Sequence, residues 1–126
     1  MSIRCLWLAL IPVLVAGCAT RLPSASFAEP ATLEQAMNDY YETHAMEEWG
    51  YCMTPYIDGL TQVAVVENQP DKLVVDLRYL YRDRQKGNSQ NSSVLDCTSY
   101  AGRQFAFGKG KTGGVEVVDM TGLRRS

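Results

Sequence analysis

Basic residues are missing from a long stretch of this 126-residue chain: between Arg21 and Lys72 there is no lysine or arginine, only nine acidic residues. Residues 72–126 reverse the balance, with ten basic residues against five acidic ones. A chain with an acidic first half, a basic second half and a formal net charge of −2 suggests neither nucleic acid nor an acidic polymer as partner. Histidine occurs once. His44 alone excludes the two-histidine zinc helix of metalloproteases. Long hydrophobic runs are also absent: the apolar stretch from Cys5 to Ala16 has 12 residues, against the roughly 20 that a bilayer-spanning helix needs. A phosphate loop is excluded in the same way. Gly110-Lys111-Thr112 has the end of that motif, but the glycine needed five positions before Gly110 is Phe105, and a glycine-rich turn follows where a helix is required.

What is present begins with an address. Arg4 precedes the short apolar run, and small Ala16 and Gly17 stand before Cys18, the arrangement of a secretory leader that an extended-backbone peptidase can cut. Val15-Ala16-Gly17-Cys18 resembles the lipobox of bacterial lipoproteins. The resemblance implies a signal peptide over residues 1–17, fatty acylation of Cys18 and a permanent membrane anchor, because each buried methylene adds about 0.8 kcal/mol. Ala19 in place of aspartate implies, by the sorting rule of enteric bacteria, the outer membrane with the domain facing the periplasm. Loss of Cys5 with the leader and acylation of Cys18 would leave Cys52 and Cys97 as one pair in an oxidising compartment, where a disulfide is expected. Closing that loop would stabilise the fold by about 4 kcal/mol in the chain-entropy model. Zinc is the weaker use of the two sulfurs, since only His44 could join them.

Residues 18–30, with two prolines and no apolar period, read as a lipidated tether of at most about 40 Å, and residues 31–126 as a single domain. Thr32 with Gln35 three positions later matches a capping box, so a helix is predicted from Thr32. Leu33, Ala36, Met37, Tyr40, Tyr41, His44 and Ala45 give it an apolar stripe, with Gly50 as its C-terminal cap and Trp49 packed at the turn. Strands are predicted at Leu60 to Glu67, Lys72 to Arg84, Leu95 to Phe107 with a bulge near Gly102, and Val115 to Met120. The second alternates cleanly, with Leu73, Val75, Leu77, Tyr79 and Tyr81 on one face, as in an antiparallel sheet covered on one side only. Gln85 to Ser93 has no apolar residue and reads as a loop. The fold class is α+β: one N-terminal helix on a four-stranded antiparallel meander, with one disulfide. That element order resembles cystatin-like folds, and element order alone transfers no function.

Three sets of residues are candidates for a site. His44 with Tyr40 and Tyr41 could stand at the mouth of a small-ligand or weakly catalytic pocket between helix and sheet, with Glu47 or Glu48 orienting the imidazole. Packing is the stronger reading of the aromatic residues in a domain this small. Arg82, Arg84, Lys86, Lys109 and Lys111 could form a basic surface for anionic head groups or an acidic partner, or could simply balance the acidic helix. No nucleophile can be paired with His44, and no cofactor or metal ligand set is recognisable. The expectation is therefore a non-enzymatic lipoprotein, attached to the membrane through its N-terminal lipid, with an envelope-structural role or an envelope protein as partner. An alternative is an inhibitor of a cell-wall lytic enzyme.

Overall fold

The computed structural model describes residues 20–84 and 97–125. The leader, Cys18, Lys86 and the Gln85 to Ser93 loop lie outside the described residues. Among the described residues, one helix, α1 (Pro30–His44), is followed by a 3-10 turn (Glu48–Gly50) and four strands: β1 (Pro55–Gln69), β2 (Lys72–Asp83), β3 (Thr98–Lys109) and β4 (Val115–Met120). The strands form one antiparallel sheet in the order β1-β2-β3-β4, with the helix packed on one face. This is an α+β fold.

The alternation in β2 decides which face is covered. Leu73, Val75, Leu77, Tyr79 and Tyr81 are all buried, and they meet Phe105 and Phe107 from β3 and Leu33, Met37 and Tyr41 from α1. Cys52 and Cys97 are joined by a disulfide with a Cα–Cα distance of 5.7 Å, and both belong to this core. The bond links the segment leading into β1 to the start of β3, so it fastens one end of the sheet.

Several boundaries differ from the sequence expectations, each for a local reason. The helix starts at Pro30, two residues before Thr32, and no side-chain cap is made. Proline suits the first helical position, where its missing N–H costs nothing. The helix ends at His44, well short of Gly50. Its last carbonyls are taken by the chain's C-terminal segment: the Arg125 backbone N–H donates to His44 O at 2.8 Å and the Arg125 guanidinium to Glu42 O at 2.6 Å. No glycine cap is needed there. β1 starts at Pro55 instead of Leu60, and it carries three register shifts, between Ile57 and Gly59, Leu60 and Gln62, and Val65 and Glu67. Those bulges scramble the period of two that would have marked the strand. The bulge expected near Gly102 is absent, since β2 and β3 pair in unbroken register.

The start of the domain also lies earlier than residue 31. Leu22 is 3% exposed and belongs to the core cluster, Phe27 packs against it, and Ala25 and Ala28 exchange backbone hydrogen bonds in a tight turn. Asn68 Nδ2 reaches Ser24 O at 3.4 Å, so this segment sits at the β1–β2 turn end of the sheet. A single leucine in a proline-containing stretch has no periodicity to announce its burial.

Candidate functional site: an aromatic hairpin on a buried ionic cluster

At the opposite end of the sheet from Ser24, the chain makes a four-residue hairpin loop between Glu47 and Cys52. Glu47 N donates to Cys52 O at 2.9 Å and Cys52 N returns a bond to Glu47 O at 3.1 Å, closing the base. Inside the loop, Gly50 N donates to Glu47 O and Tyr51 N to Glu48 O, each at 3.1 Å. The backbone passes through three successive left-handed residues, Glu48, Trp49 and Gly50, with φ of 52°, 55° and 97°. Only the last is glycine. For the other two the left-handed region costs roughly 1–2 kcal/mol each, and such conformations persist when their surroundings over-determine them.

The surroundings here are the two glutamates. Glu47 points into the core, where its Oε2 accepts from Tyr41 OH at 2.5 Å, Tyr79 OH at 2.6 Å and Arg103 Nη2 at 3.3 Å. The Arg103 side chain is 2% exposed and makes three further hydrogen bonds at 2.8 Å, from Nε to Tyr79 OH, from Nη1 to Thr121 O and from Nη2 to Met46 O. Its guanidinium also lies 5.4 Å from the Tyr41 ring centroid. Gly122 passes so close to this group that a Cβ there would stand 2.8 Å from Arg103 Nη1. Glu48 turns the other way, and its Oε1 accepts from Tyr81 OH at 2.7 Å. Consecutive glutamates thus grip two tyrosines of the same sheet face, and the chain between them and Cys52 has to arch outward.

Electrostatics follow from that packing. Burial disfavours the phenolate of Tyr41, and the neighbouring Tyr79 and Glu47 add to the effect, so its pKa is pushed far above the ordinary tyrosine range. Tyr79 is raised by burial and then by Glu47, and Tyr81 by burial and then by its bond to Glu48. Burial works against the charge of Arg103, but Tyr79 and Glu47 more than offset it, and its pKa is raised. The guanidinium stays charged, and an ion pair removed from water holds together only because nearly every donor has an acceptor.

The arch carries the two most exposed large apolar side chains among the described residues, Trp49 at 86% and Tyr51 at 78%. The expectation that Trp49 packs at the turn fails, because the left-handed backbone directs it away from the core. Arg103 shares one parity of β3 with Phe105 and Phe107. A cation on the core-facing side of a strand demands a buried carboxylate, and that signal would have led to Glu47.

The other candidate residues are dispersed. Tyr41 is buried in the ionic cluster, whereas Tyr40 stacks on His44 with ring centroids 3.9 Å apart. His44 Nδ1 lies 2.8 Å from Thr43 Oγ1 and 3.0 Å from Tyr40 O, and neither Glu47 nor Glu48 orients it. Tyr40 lines an open groove of about 480 Å³ between α1 and β4, and His44 is not among its lining residues. The basic residues do not gather on one surface. Arg82 pairs with Asp58 and Arg84 with Glu42 near the hairpin end, while Lys109 is the last residue of β3 and Lys111 follows it, at the far end of the sheet. Among the described residues, the one grouping of metal-ligand type is Cys52, Asp83 and Cys97, and its two sulfurs are bonded to each other.

Comparison of the chain with protein-family models, with curated proteins and with solved structures returns no match in any of the three.

Proposed function

We propose that this chain is a lipid-anchored protein of the outer membrane, facing the periplasm, whose domain binds another envelope protein and catalyses no reaction. The observation that supports the reading is the hairpin: two large aromatic side chains held out in solvent, on strained backbone, by a disulfide and a buried ion pair. Tryptophan and tyrosine dominate the energetics of protein interfaces, and a loop that is already rigid loses little entropy when a partner closes over it. The helix-on-meander order is read as cystatin-like.

The anchor and the hairpin fit together geometrically. Leu22 is packed in the core, so acylated Cys18 would lie four residues, at most about 14 Å, from the domain. Ser24 stands at the β1–β2 turn, whereas the hairpin precedes the other end of β1, and the 12 residues of β2 separate those ends by about 36 Å. The aromatic tip would thus be held away from the membrane that carries the anchor, towards the compartment.

The test has two parts. Mass spectrometry of the mature N-terminus is expected to show acylated Cys18, and an unmodified N-terminus elsewhere would refute the anchor. Reversible crosslinking in the native envelope is expected to recover a partner with the unaltered protein and to lose it with Trp49→Ser combined with Tyr51→Ser. Equal recovery by the two would refute the role of the hairpin. A rigid, disulfide-fastened loop also suits an inhibitor of a cell-wall lytic enzyme; that narrower reading is refuted if lysozyme-like activity is unchanged at saturating protein.

A further inference from the structure

The far edge of the sheet offers a second interface, unrelated to the hairpin. β4 has β3 as its ladder partner and, among the described residues, no strand on its other side. A strand edge without a ladder partner is a template for another strand. Beside it runs the open groove of about 480 Å³ between β4 and α1, with a floor of Ala36, Tyr40, Val115 and Val117. The Arg124 guanidinium donates to the hydroxyl of Tyr40, one of the lining residues, at 3.3 Å, and is also committed to Asp119 Oδ1 at 2.7 Å and Met120 O at 3.1 Å. On the outer face of β4, Val118 is 55% exposed.

Charge selects among strands that could occupy this edge. Asp39 on the helix bank and Glu116 on the strand are exposed and, among the described residues, form no ion pair. A second copy of β4 laid antiparallel along its full length would set Glu116 against Asp119, and like charges directly opposite are destabilising. A strand with lysine or arginine on its outward side would meet Glu116 favourably, while its alternate, apolar side chains enter the groove.

We propose that the β4 edge and the α1–β4 groove bind an extended peptide segment that alternates apolar and basic residues, taken up as a fifth antiparallel or parallel strand. The apolar residue nearest Val117 fills the groove, and the basic residue beside it meets Glu116. Main-chain hydrogen bonds supply the affinity, and the groove and Glu116 supply the selectivity.

The probe is a capped hexapeptide of alternating valine and lysine, titrated into the purified full-length mature protein in detergent while backbone amide NMR shifts are followed. The expected result is saturable binding with shifts concentrated in residues 115–120 and along the groove side of α1. Glu116→Lys, at an exposed position, should weaken it at least tenfold with unchanged thermal stability. Methylation of alternate peptide nitrogens, which removes donors but keeps every side chain, should abolish binding. The proposal is overturned if the methylated peptide binds within twofold of the parent, if shifts fall elsewhere, or if no saturation occurs by about 1 mM, a dissociation constant equivalent to only about −4 kcal/mol. A dimer that forms through β4 in preference to peptide would overturn it too.

Discussion

Trp49→Gly separates a side chain kept for the fold from one kept for contact. Trp49 adopts φ 55° and ψ 30°, a left-handed conformation that costs an L-residue roughly 1–2 kcal/mol and glycine almost nothing. Against that relief stands the little burial that the indole has: with 86% of the residue exposed, about 35 Å² is covered, or about 0.9 kcal/mol at 25 cal/mol/Å². Glycine also loosens the unfolded chain, by roughly 0.5–1 kcal/mol. These terms nearly cancel, and the variant should unfold within about 1 kcal/mol of the parent, whereas truncating a packed tryptophan costs about 3–5 kcal/mol. Urea denaturation with the disulfide intact, followed by far-ultraviolet circular dichroism, reads the difference directly. A loss above about 2 kcal/mol would mean that the ring supports the fold, and the argument for a contact residue would fail.

The remaining expectations concern the cluster beneath the hairpin. Glu47→Gln leaves Arg103 without its carboxylate in a site where both side chains are almost wholly buried, and should cost about 3 kcal/mol, the low end for a broken buried pair because Arg103 keeps its other acceptors. A change under about 0.5 kcal/mol in chemical denaturation, the size of an ordinary surface substitution, would contradict that. Gly122→Ala combines φ 92° with a Cβ 2.8 Å from Arg103 Nη1, so it should destabilise by about 2 kcal/mol or more, measured as a lowered thermal midpoint. Raising the pH should unfold the domain steeply. Tyr41, Tyr79 and Tyr81 hold their protons above the usual tyrosine range when folded, so above pH 10 the unfolded chain has lost protons that the folded one keeps. Stability then falls by about 1.4 kcal/mol per tyrosine per pH unit, about 4 kcal/mol for three. Absorbance at 295 nm should show these three ionising together with loss of structure, and gradual ionisation of all seven tyrosines in a folded protein would refute it.

The sheet was legible where one rule acted alone. In β2 Leu73, Val75, Leu77, Tyr79 and Tyr81 recur at every second position and all are buried, although Val74 and Leu80 interrupt the polar face. β4 and the glycine-rich turn before it fell where composition put them. β1 was only half visible because three bulges break its period, and the helix end was misplaced because its cap comes from Arg125, 81 residues further along the chain than His44. Contacts that distant leave no local pattern. The candidate site was hidden for a related reason: Glu-Glu-Trp-Gly reads as a polar helix end with a glycine cap, and nothing nearby says that Glu47 belongs to Arg103. The pairing could be read only by asking what neutralises an arginine whose parity puts it among phenylalanines. Leu22, alone among small residues and prolines, left no sign.

The central claim, an aromatic hairpin that engages an envelope protein, is tested most directly by a photoactivatable phenylalanine analogue placed at position 51 and, as a control, at position 100, where Tyr100 is also 68% exposed but lies on β3. Irradiation of intact cells is expected to give one discrete protein adduct from position 51 and none of that size from position 100. The same adduct from both positions, or none from position 51 while the protein is abundant and folded, would contradict the account.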